Sequence, residues 1–285
     1  MDIEIFFTAI FLSVAASISG IYMVLSQKSM YGDALSHSLL PGIVLVFLIT
    51  GERSFFGSLI GALFTGVLVS VLIRRLEGIK GIYSDAAIGG VFVVFFALGI
   101  LLISGPAEGV DLDQDCVLFG EIAFVPIDRW TIGDYDVGAR GVWISLFLVL
   151  LALTFHLVMG RVMKFVSFNS EFARSRGVNP EIWNMIYHIF ISIFIVLSFE
   201  LVGVILILSF LVTPIAASWL VSGNMKRLIF LSLTLAAAST STGLVAADAL
   251  DVSISGTIAF MQGVTFFVFL SYYSLAKKRS IRRLH

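Results

Sequence analysis

Long apolar stretches, separated by short polar connections, fill most of the chain. A bilayer core about 30 Å thick is crossed by about 20 helical residues, so each stretch is a candidate membrane span. The stretches cover residues 5–25, 38–50, 55–73, 85–104, 142–160, 185–201, 202–221, 228–247 and 256–275. This pattern predicts an all-α polytopic membrane protein with eight to nine transmembrane helices.

Two places in the pattern predict irregular helices. The stretch 38–50 is short for a span, and it contains Pro41, which has no backbone N–H to donate. The stretches 185–201 and 202–221 follow each other with almost no connection. Irregular backbone at membrane depth is tolerated where it is buried in protein or lines a cavity. Broken helices of this kind commonly mark transport sites.

The composition agrees with a membrane protein, and the charges predict its orientation. Of the 285 residues, 59% are hydrophobic and 13% are charged, which is far from the profile of a soluble domain. The formal net charge of −1 hides an asymmetry, because alternate connections carry 15 of the 18 Lys and Arg residues. The positive-inside rule makes this side cytoplasmic, and with nine spans the N-terminus is outside. We therefore expect contact with membrane lipid and no nucleic-acid partner.

No linker or low-complexity tract interrupts the chain, so we interpret residues 1–285 as one transmembrane domain with two longer connections. The external connection, about 106–141, holds eight acidic residues against two Arg. The cytoplasmic connection, about 161–184, is basic. Both are long enough to form docking surfaces for other proteins.

The cytoplasmic connection also carries signals for short helices. Asn169 or Ser170 is of the residue type that caps a helix N-terminus. Gly177 is of the type that ends a helix, and Pro180 suits the first position of the next one. Short helices parallel to a membrane face are docking elements.

The segment YGDALSHSLLPG, residues 31–42, places Asp33 and His37 four positions apart. In a helix this spacing puts the carboxylate and the imidazole on one face, close enough to share a cation. Pro41 follows, and in a continuous helix it would leave the carbonyl of His37 without its partner. The alternative is structural: Asp33 caps a helix that begins at Ala34, and His37 bonds a backbone carbonyl.

The ligand types in this pair restrict the cation. Mixed carboxylate and imidazole ligation suits Mn²⁺, Fe²⁺ or Zn²⁺ better than Ca²⁺, Mg²⁺ or Cu⁺. One oxygen and one nitrogen ligand do not complete a coordination shell. Two copies of the segment across a twofold interface would supply two Asp and two His.

Other polar or small residues in the spans carry weaker signals. Glu200 lies near the external end of a span, where it faces a vestibule or the headgroups and could serve as part of a pathway or gate. We interpret His156 and His188 as hydrogen-bonded packing residues. Gly57 and Gly61 have the spacing that lets helix backbones approach closely, within a subunit or between subunits.

Several segments resemble one known family, the membrane permeases of metal-chelate-type ABC importers for manganese, zinc and iron. GDALSHSLLPGI is similar to the most recognisable segment of that family, and DLDQDCVLFGEIAFVP resembles the external loop of its manganese and iron branch. SEFARSRGV resembles the segment that docks on the ATPase, and ELVGVILILSFLVTPIAAS resembles a span of the family. The resemblance covers nearly the whole chain.

The resemblance implies a type II-like ABC importer permease in a bacterial cell membrane. The implied partners are cytoplasmic ATPase subunits, an external metal-binding protein and a second permease chain, identical or paralogous. Asp33 and His37 would be ligands in the metal pathway, with Pro41 at the break in the helix. The transported ion would be Mn²⁺, Fe²⁺ or Zn²⁺, with manganese favoured, and no cofactor would stay bound.

The docking segment implies further roles. By the same resemblance, the ATPase-coupling residues would be Glu171, Ala173, Arg174 and Gly177. The segment departs from the family pattern at Asn169, where Asp often stands.

The sequence also bears on two other classes of function. An ion-coupled secondary metal transporter would explain the Asp–His pair and would leave the cytoplasmic docking segment without a role. An intramembrane enzyme is disfavoured, because the sequence contains no HExxH, no GxSxG and no phosphate-binding GxxxxGK[ST]. If ATP drives transport, another chain hydrolyses it.

Overall fold

The computed structural model describes residues 2–51, 55–105, 121–132 and 135–282. These residues are mainly helical. The helices are α1 (Ile3–Leu25), α2 (Met30–Ser38), α3 (Leu40–Thr50), α4 (Phe55–Glu77), α5 (Ser84–Ser104), α6 (Arg140–Phe168), α7 (Ser170–Ser175), α8 (Pro180–Val202), α9 (Val204–Val221), α10 (Met225–Leu250) and α11 (Ile254–Arg282). A 3₁₀ turn (Ile122–Phe124) and two antiparallel strands, β1 (Arg129–Ile132) and β2 (Tyr135–Ala139), lie between α5 and α6.

The helices confirm the predicted membrane spans. Within the described ranges, nine segments are long and apolar enough to cross a membrane, and α2 together with α3 forms one of them. The second span begins at Met30, not at residue 38 as the apolar pattern suggested. The polar run that carries Asp33 and His37 is itself helical, and it lengthens the span to 21 residues.

Both predicted irregularities are present. Between α2 and α3 only Leu39 lies outside the two helices, and its backbone keeps helical angles. Pro41 falls in the first turn of α3, a position that suits proline because the N–H groups of a first turn have no partner within their own helix. Between α8 and α9 the single residue Gly203 interrupts the helix with a φ of 77°, a conformation that favours glycine.

The described residues form two compact units. The first contains residues of 1–24, 121–156 and 201–285, and the second contains residues of 25–120 and 157–200. That the whole chain acts as one permease domain stays a prediction.

In the first unit, the described part of the external connection forms a hairpin. Arg129 donates to Asp136 at 2.6 Å and to Glu4 of α1 at 3.2 Å. The N–H of Gly138 and then the Arg129 guanidinium hold the pKa of the Asp136 carboxyl below its usual range. Residues 106–120, which include the acids of VDLDQD and Cys116, lie outside the described residues, as does Asp134.

In the second unit, α3 and α4 cross at two glycines. A Cβ built on Gly42 would lie 2.1 Å from the carbonyl oxygen of Gly61 and 2.0 Å from Oγ1 of Thr65. The two backbones therefore touch at a place where only hydrogen fits. Gly61 thus packs within the chain, and the crossing holds α3 next to the break that follows His37.

We expect Gly42→Ala to destabilise this unit. The added methyl group has to push α3 and α4 apart, and overpacking of this kind costs about 1–3 kcal/mol. The variant should lower the thermal unfolding midpoint of the purified protein in detergent. Gly90→Ala on α5 is the matched control, because a Cβ there meets nothing within 4 Å. Equal unfolding midpoints for the two variants would show that α3 and α4 are farther apart at Gly42 than these distances indicate.

Candidate metal site and docking groove

Asp33 and His37 lie together on α2. The helix begins at Met30, so Asp33 lies within its first turn and does not cap it. Nε2 of His37 is 3.6 Å from Oδ1 of Asp33. This places one carboxylate oxygen and one imidazole nitrogen side by side, as the i, i+4 spacing predicts.

The backbone beside the pair is broken. Pro41 has no N–H to offer the carbonyl of His37. The N–H of Gly42 bonds the carbonyl of Leu39 at 3.1 Å. The break thus begins directly after the pair, where α2 ends and α3 starts.

Two phenylalanines of α5 hold the His37 ring. Its centroid is 5.9 Å from that of Phe92 and 5.7 Å from that of Phe96, and the second contact is edge-on. Phe92 and Phe96 also stack on each other at 5.7 Å. The sequence did not single them out, because 26 Phe occur in the chain and most spans contain several.

The face of α2 that carries the pair is the face that the chain leaves open. The side chain of Asp33 is 42% exposed and that of His37 is 30% exposed. Met30, one turn earlier on this face, is exposed too. The remaining residues of α2 are all buried: Tyr31, Gly32, Ala34, Leu35, Ser36 and Ser38.

Asp33 and His37 supply two ligands, which alone do not complete the coordination shell of a metal ion. Within the described ranges, no group of three or more His, Cys, Asp or Glu side chains is placed to hold a metal ion. Carboxylate oxygen and imidazole nitrogen are ligands for Mn²⁺, Fe²⁺ and Zn²⁺. An acid and an imidazole on an open face within a membrane span are costly unless another polar group meets them.

The predicted short helix of the cytoplasmic connection is present as α7, with both of its caps. The side chain of Asn169 accepts the N–H of Phe172 at 2.9 Å. At the other end Gly177 has a φ of 76°. The N–H of Val178 bonds the carbonyl of Ala173 at 3.0 Å, which completes a Schellman motif.

In and just after α7, the four predicted coupling residues have different surroundings. Ala173 is fully buried and so fixes the position of α7, whereas Glu171 is exposed. Arg174 is exposed and forms an ion pair with Glu181 in the first turn of α8. Gly177 sets the turn between the two helices.

A groove of about 660 Å³ lies between the end of α4, α7 and the start of α8. Five of its lining residues are charged, three arginines and two glutamates, and apolar side chains also line it. Its lining residues are Arg74, Arg75, Glu77, Gly78, Ser170, Arg174, Pro180, Glu181, Ile182, Asn184 and Met185. The groove is on the basic side of the chain, which the positive-inside rule predicts to be cytoplasmic.

The other candidates from the sequence lie outside the metal pair and the groove lining. The backbone of Glu200 lies in α8, and its side chain is outside the described residues. Nδ1 of His156 is 3.0 Å from the hydroxyl of Tyr22, as expected of a packing residue. For Nδ1 of His188, no hydrogen-bond partner occurs among the described residues, and the ring packs on that of Tyr31 with centroids 4.3 Å apart.

Among the described residues, nine helical segments long and apolar enough to cross a membrane define a polytopic membrane protein. The chain belongs to the ABC 3 transport family, whose profile matches residues 3–273. It is therefore the membrane permease subunit of an ATP-binding-cassette transporter. It is not itself an enzyme, and a separate subunit hydrolyses ATP.

Proteins of known name are similar over most of the chain. The manganese transport system membrane protein MntD of Bacillus subtilis is 35% identical over 91% of this chain and 88% of its own length. The zinc transport system membrane protein TroD of Treponema pallidum is 35% identical over 93% of this chain and 72% of its own length. The solved structure of PsaBC from Streptococcus pneumoniae in complex with Fab matches with a TM-score of 0.72 at 28% identity. That match covers 93% of this chain and 89% of the other.

Proposed function

We propose that this chain imports a divalent transition metal, and that Asp33 and His37 bind the ion during its passage. The observation that carries the proposal is the position of the pair: two ligands 3.6 Å apart, beside a helix break, on the open face of a membrane span. The ligand types fit Mn²⁺, Fe²⁺ and Zn²⁺. The relatives named for manganese and for zinc support the same group of ions. Manganese is the favoured substrate, and no metal stays bound as a cofactor.

The open face of α2 supports a second permease chain as a partner. A copy of the same segment, from an identical or paralogous chain, would bring another Asp and another His to the ion and would cover this face. A transport site has to bind an ion well enough to strip its water and weakly enough to release it. Oxygen and nitrogen ligands without thiolate suit that compromise.

The docking groove supports the ATPase as a second partner. Glu171 and Arg174 are exposed on α7 and would contact the ATPase, while Ala173 and Gly177 fix the position of the helix. An external binding protein would deliver the metal at the acidic connection 106–141. The assembly would lie in the plasma membrane of a bacterium, in contact with lipid.

Uptake by the assembled complex tests the proposal. The permease, its ATPase and its binding protein would be reconstituted in lipid vesicles, and Mn²⁺, Fe²⁺ and Zn²⁺ inside the vesicles would be measured by elemental analysis. We expect uptake only with ATP, and most for Mn²⁺. Uptake that a proton or sodium gradient drives without ATP would support an ion-coupled carrier instead. Failure to take up any of the three ions would reject the proposed substrate class.

Gly177→Val should uncouple ATP hydrolysis from transport. A side chain at a φ of 76° costs roughly 1–2 kcal/mol, and a β-branched one costs more, so the end of α7 should rearrange. The expected result is a lower amount of metal carried per ATP, with the spans still folded. Gly223→Val is the control, because Gly223 lies in another connection, has open space around it and has no positive φ. Equal coupling in the two variants would argue against α7 as the coupling helix.

A further inference from the structure

The carboxylate of Glu77 is the centre of a compact polar cluster at the basic side of the second unit. Glu77 is the last residue of α4, and its side chain is only 9% exposed. Nζ of Lys28 donates to both of its oxygens, at 2.6 and 2.8 Å. The hydroxyl of Ser84 donates at 2.5 Å, and Arg74 lies at 3.4 Å. The carboxylate is thus held by three different segments of the chain.

This cluster connects the docking groove with the helix of the metal pair. Glu77 and Arg74 line the groove. Lys28 stands two residues before α2, the helix that carries Asp33 and His37. A largely buried ion pair fixes the distance between its two segments more strictly than an exposed one, because neither charge can turn to water. The start of α2 is therefore tied directly to one wall of the groove.

The opposite side of the groove is the start of α8, and a later part of this helix contacts α2 as well. The groove contains Pro180 at the start of α8, and His188 follows about two turns later on that helix. The His188 ring stacks on that of Tyr31 with centroids 4.3 Å apart. Both side chains are buried, and Tyr31 lies two residues before Asp33.

A hydrogen-bond chain stiffens this second contact. The hydroxyl of Tyr31 is 2.5 Å from that of Ser70 on α4, and Ser70 is 3.0 Å from Ser192 on α8. Ser192 lies one turn beyond His188. The side chain of Tyr31 is thus held by α4 and α8 together, the same two helices whose ends wall the groove.

We propose that Glu77 and His188 are positioning residues that transmit the state of the docking groove to α2, through Lys28 and Tyr31, and so couple ATP hydrolysis to the metal pair. The proposal rests on the proposed function. When the ATPase changes its fit in the groove, the ends of α4 and α8 move, and two contacts carry the movement to the helix with Asp33 and His37. Neither Glu77 nor His188 has to touch the metal or the ATPase for this role.

Lys28→Met in the reconstituted importer tests the coupling. The substitution keeps the length of the side chain and removes its charge. Metal uptake and ATP hydrolysis would be measured in the same vesicles with Mn²⁺. We expect the Mn²⁺ carried per ATP to fall about tenfold, while ATPase retention and the rate of hydrolysis stay within about twofold of the parent. Lys28→Arg, which restores the ion pair, should recover most of the parental ratio.

Lys80→Met is the matched control, because Lys80 is exposed in the α4–α5 connection and lies outside the groove lining. Its ratio of Mn²⁺ carried per ATP should equal that of the parent.

His188→Leu removes the ring that stacks on Tyr31, and it should lower the ratio of Mn²⁺ carried per ATP as well. If Lys28→Met does not assemble, His188→Leu decides. A parental ratio in an assembled Lys28→Met complex or in an assembled His188→Leu complex overturns the proposal. A parent that carries no Mn²⁺, Fe²⁺ or Zn²⁺ would instead reject the proposed function, so the two failures are distinct.

Discussion

Asp33→Asn should lower metal uptake by the assembled importer about 10- to 100-fold, which is the range that loss of even an outer-shell partner of a metal produces. The amide keeps the shape of the carboxylate and removes its charge, so assembly should not change. The ion would then meet Nε2 of His37, 3.6 Å from the changed side chain, without the anionic ligand that helps to remove its water. The measurement is ATP-dependent Mn²⁺ uptake in vesicles, together with the amount of complex recovered after purification.

His37→Ala should have a similar effect, because the imidazole is the second ligand of the pair. Asp85→Asn is the matched control: Asp85 is an exposed acid in the first turn of α5, in the same unit. It should carry metal at the parental rate. If Asp33→Asn and His37→Ala both assemble and transport like the control, the pair has only a structural role.

Arg174→Glu should reduce the retention of the ATPase subunit about tenfold in copurification. The substitution reverses the charge at an exposed position of α7 and also removes the ion pair with Glu181. An exposed ion pair alone contributes at most about 1 kcal/mol, so its loss within the chain cannot account for a large effect. If Arg174 is buried against the ATPase when it docks, reversing the charge costs more binding free energy, because the reversed charge is then left without a partner.

A charge swap separates the two contributions. In Arg174→Glu with Glu181→Arg the internal ion pair is restored, while the charge that faces the partner stays reversed. ATPase retention should remain low in this double variant, and it should remain normal in Lys80→Glu. If the swap restores retention, Arg174 serves only to fix α7 on α8, and the contact with the ATPase lies elsewhere in the groove.

Local features of the chain were predictable from the sequence because their causes are local. A bilayer imposes one length and one polarity on each span, so the apolar pattern predicted eight to nine spans, of which the described residues show nine, and the interruptions near Pro41 and Gly203. The caps of α7 also follow from neighbouring residues, since Asn169 and Gly177 each satisfy backbone groups within a few positions. The i, i+4 placement of Asp33 and His37 has the same origin.

The start of the second span shows where the local pattern misled. Hydropathy alone placed it at residue 38, because the preceding segment contains an acid, a histidine and several small polar residues. In the structure this segment is helical from Met30, and packing of α2 on α4 and α5 buries every side of it except the face with the pair. Polar residues within a span are compatible with a helix when tertiary contacts cover the rest of its surface.

The sequence by itself thus determined the class of protein and the helical positions of the spans, and it picked out the two candidate ligands and the short helix α7, whose roles stay predictions, as does the orientation. Only the tertiary structure decided what surrounds them. It set Phe92 and Phe96 against His37, and it joined Lys28 to Glu77 across 49 positions of sequence. A lysine in a short connection and a glutamate at the end of a helix are ordinary near a membrane face, and a phenylalanine is ordinary in any span. Their roles arise from which helices pack together, and that depends on close contacts such as Gly42 on Gly61, which residue spacing along the chain does not reveal.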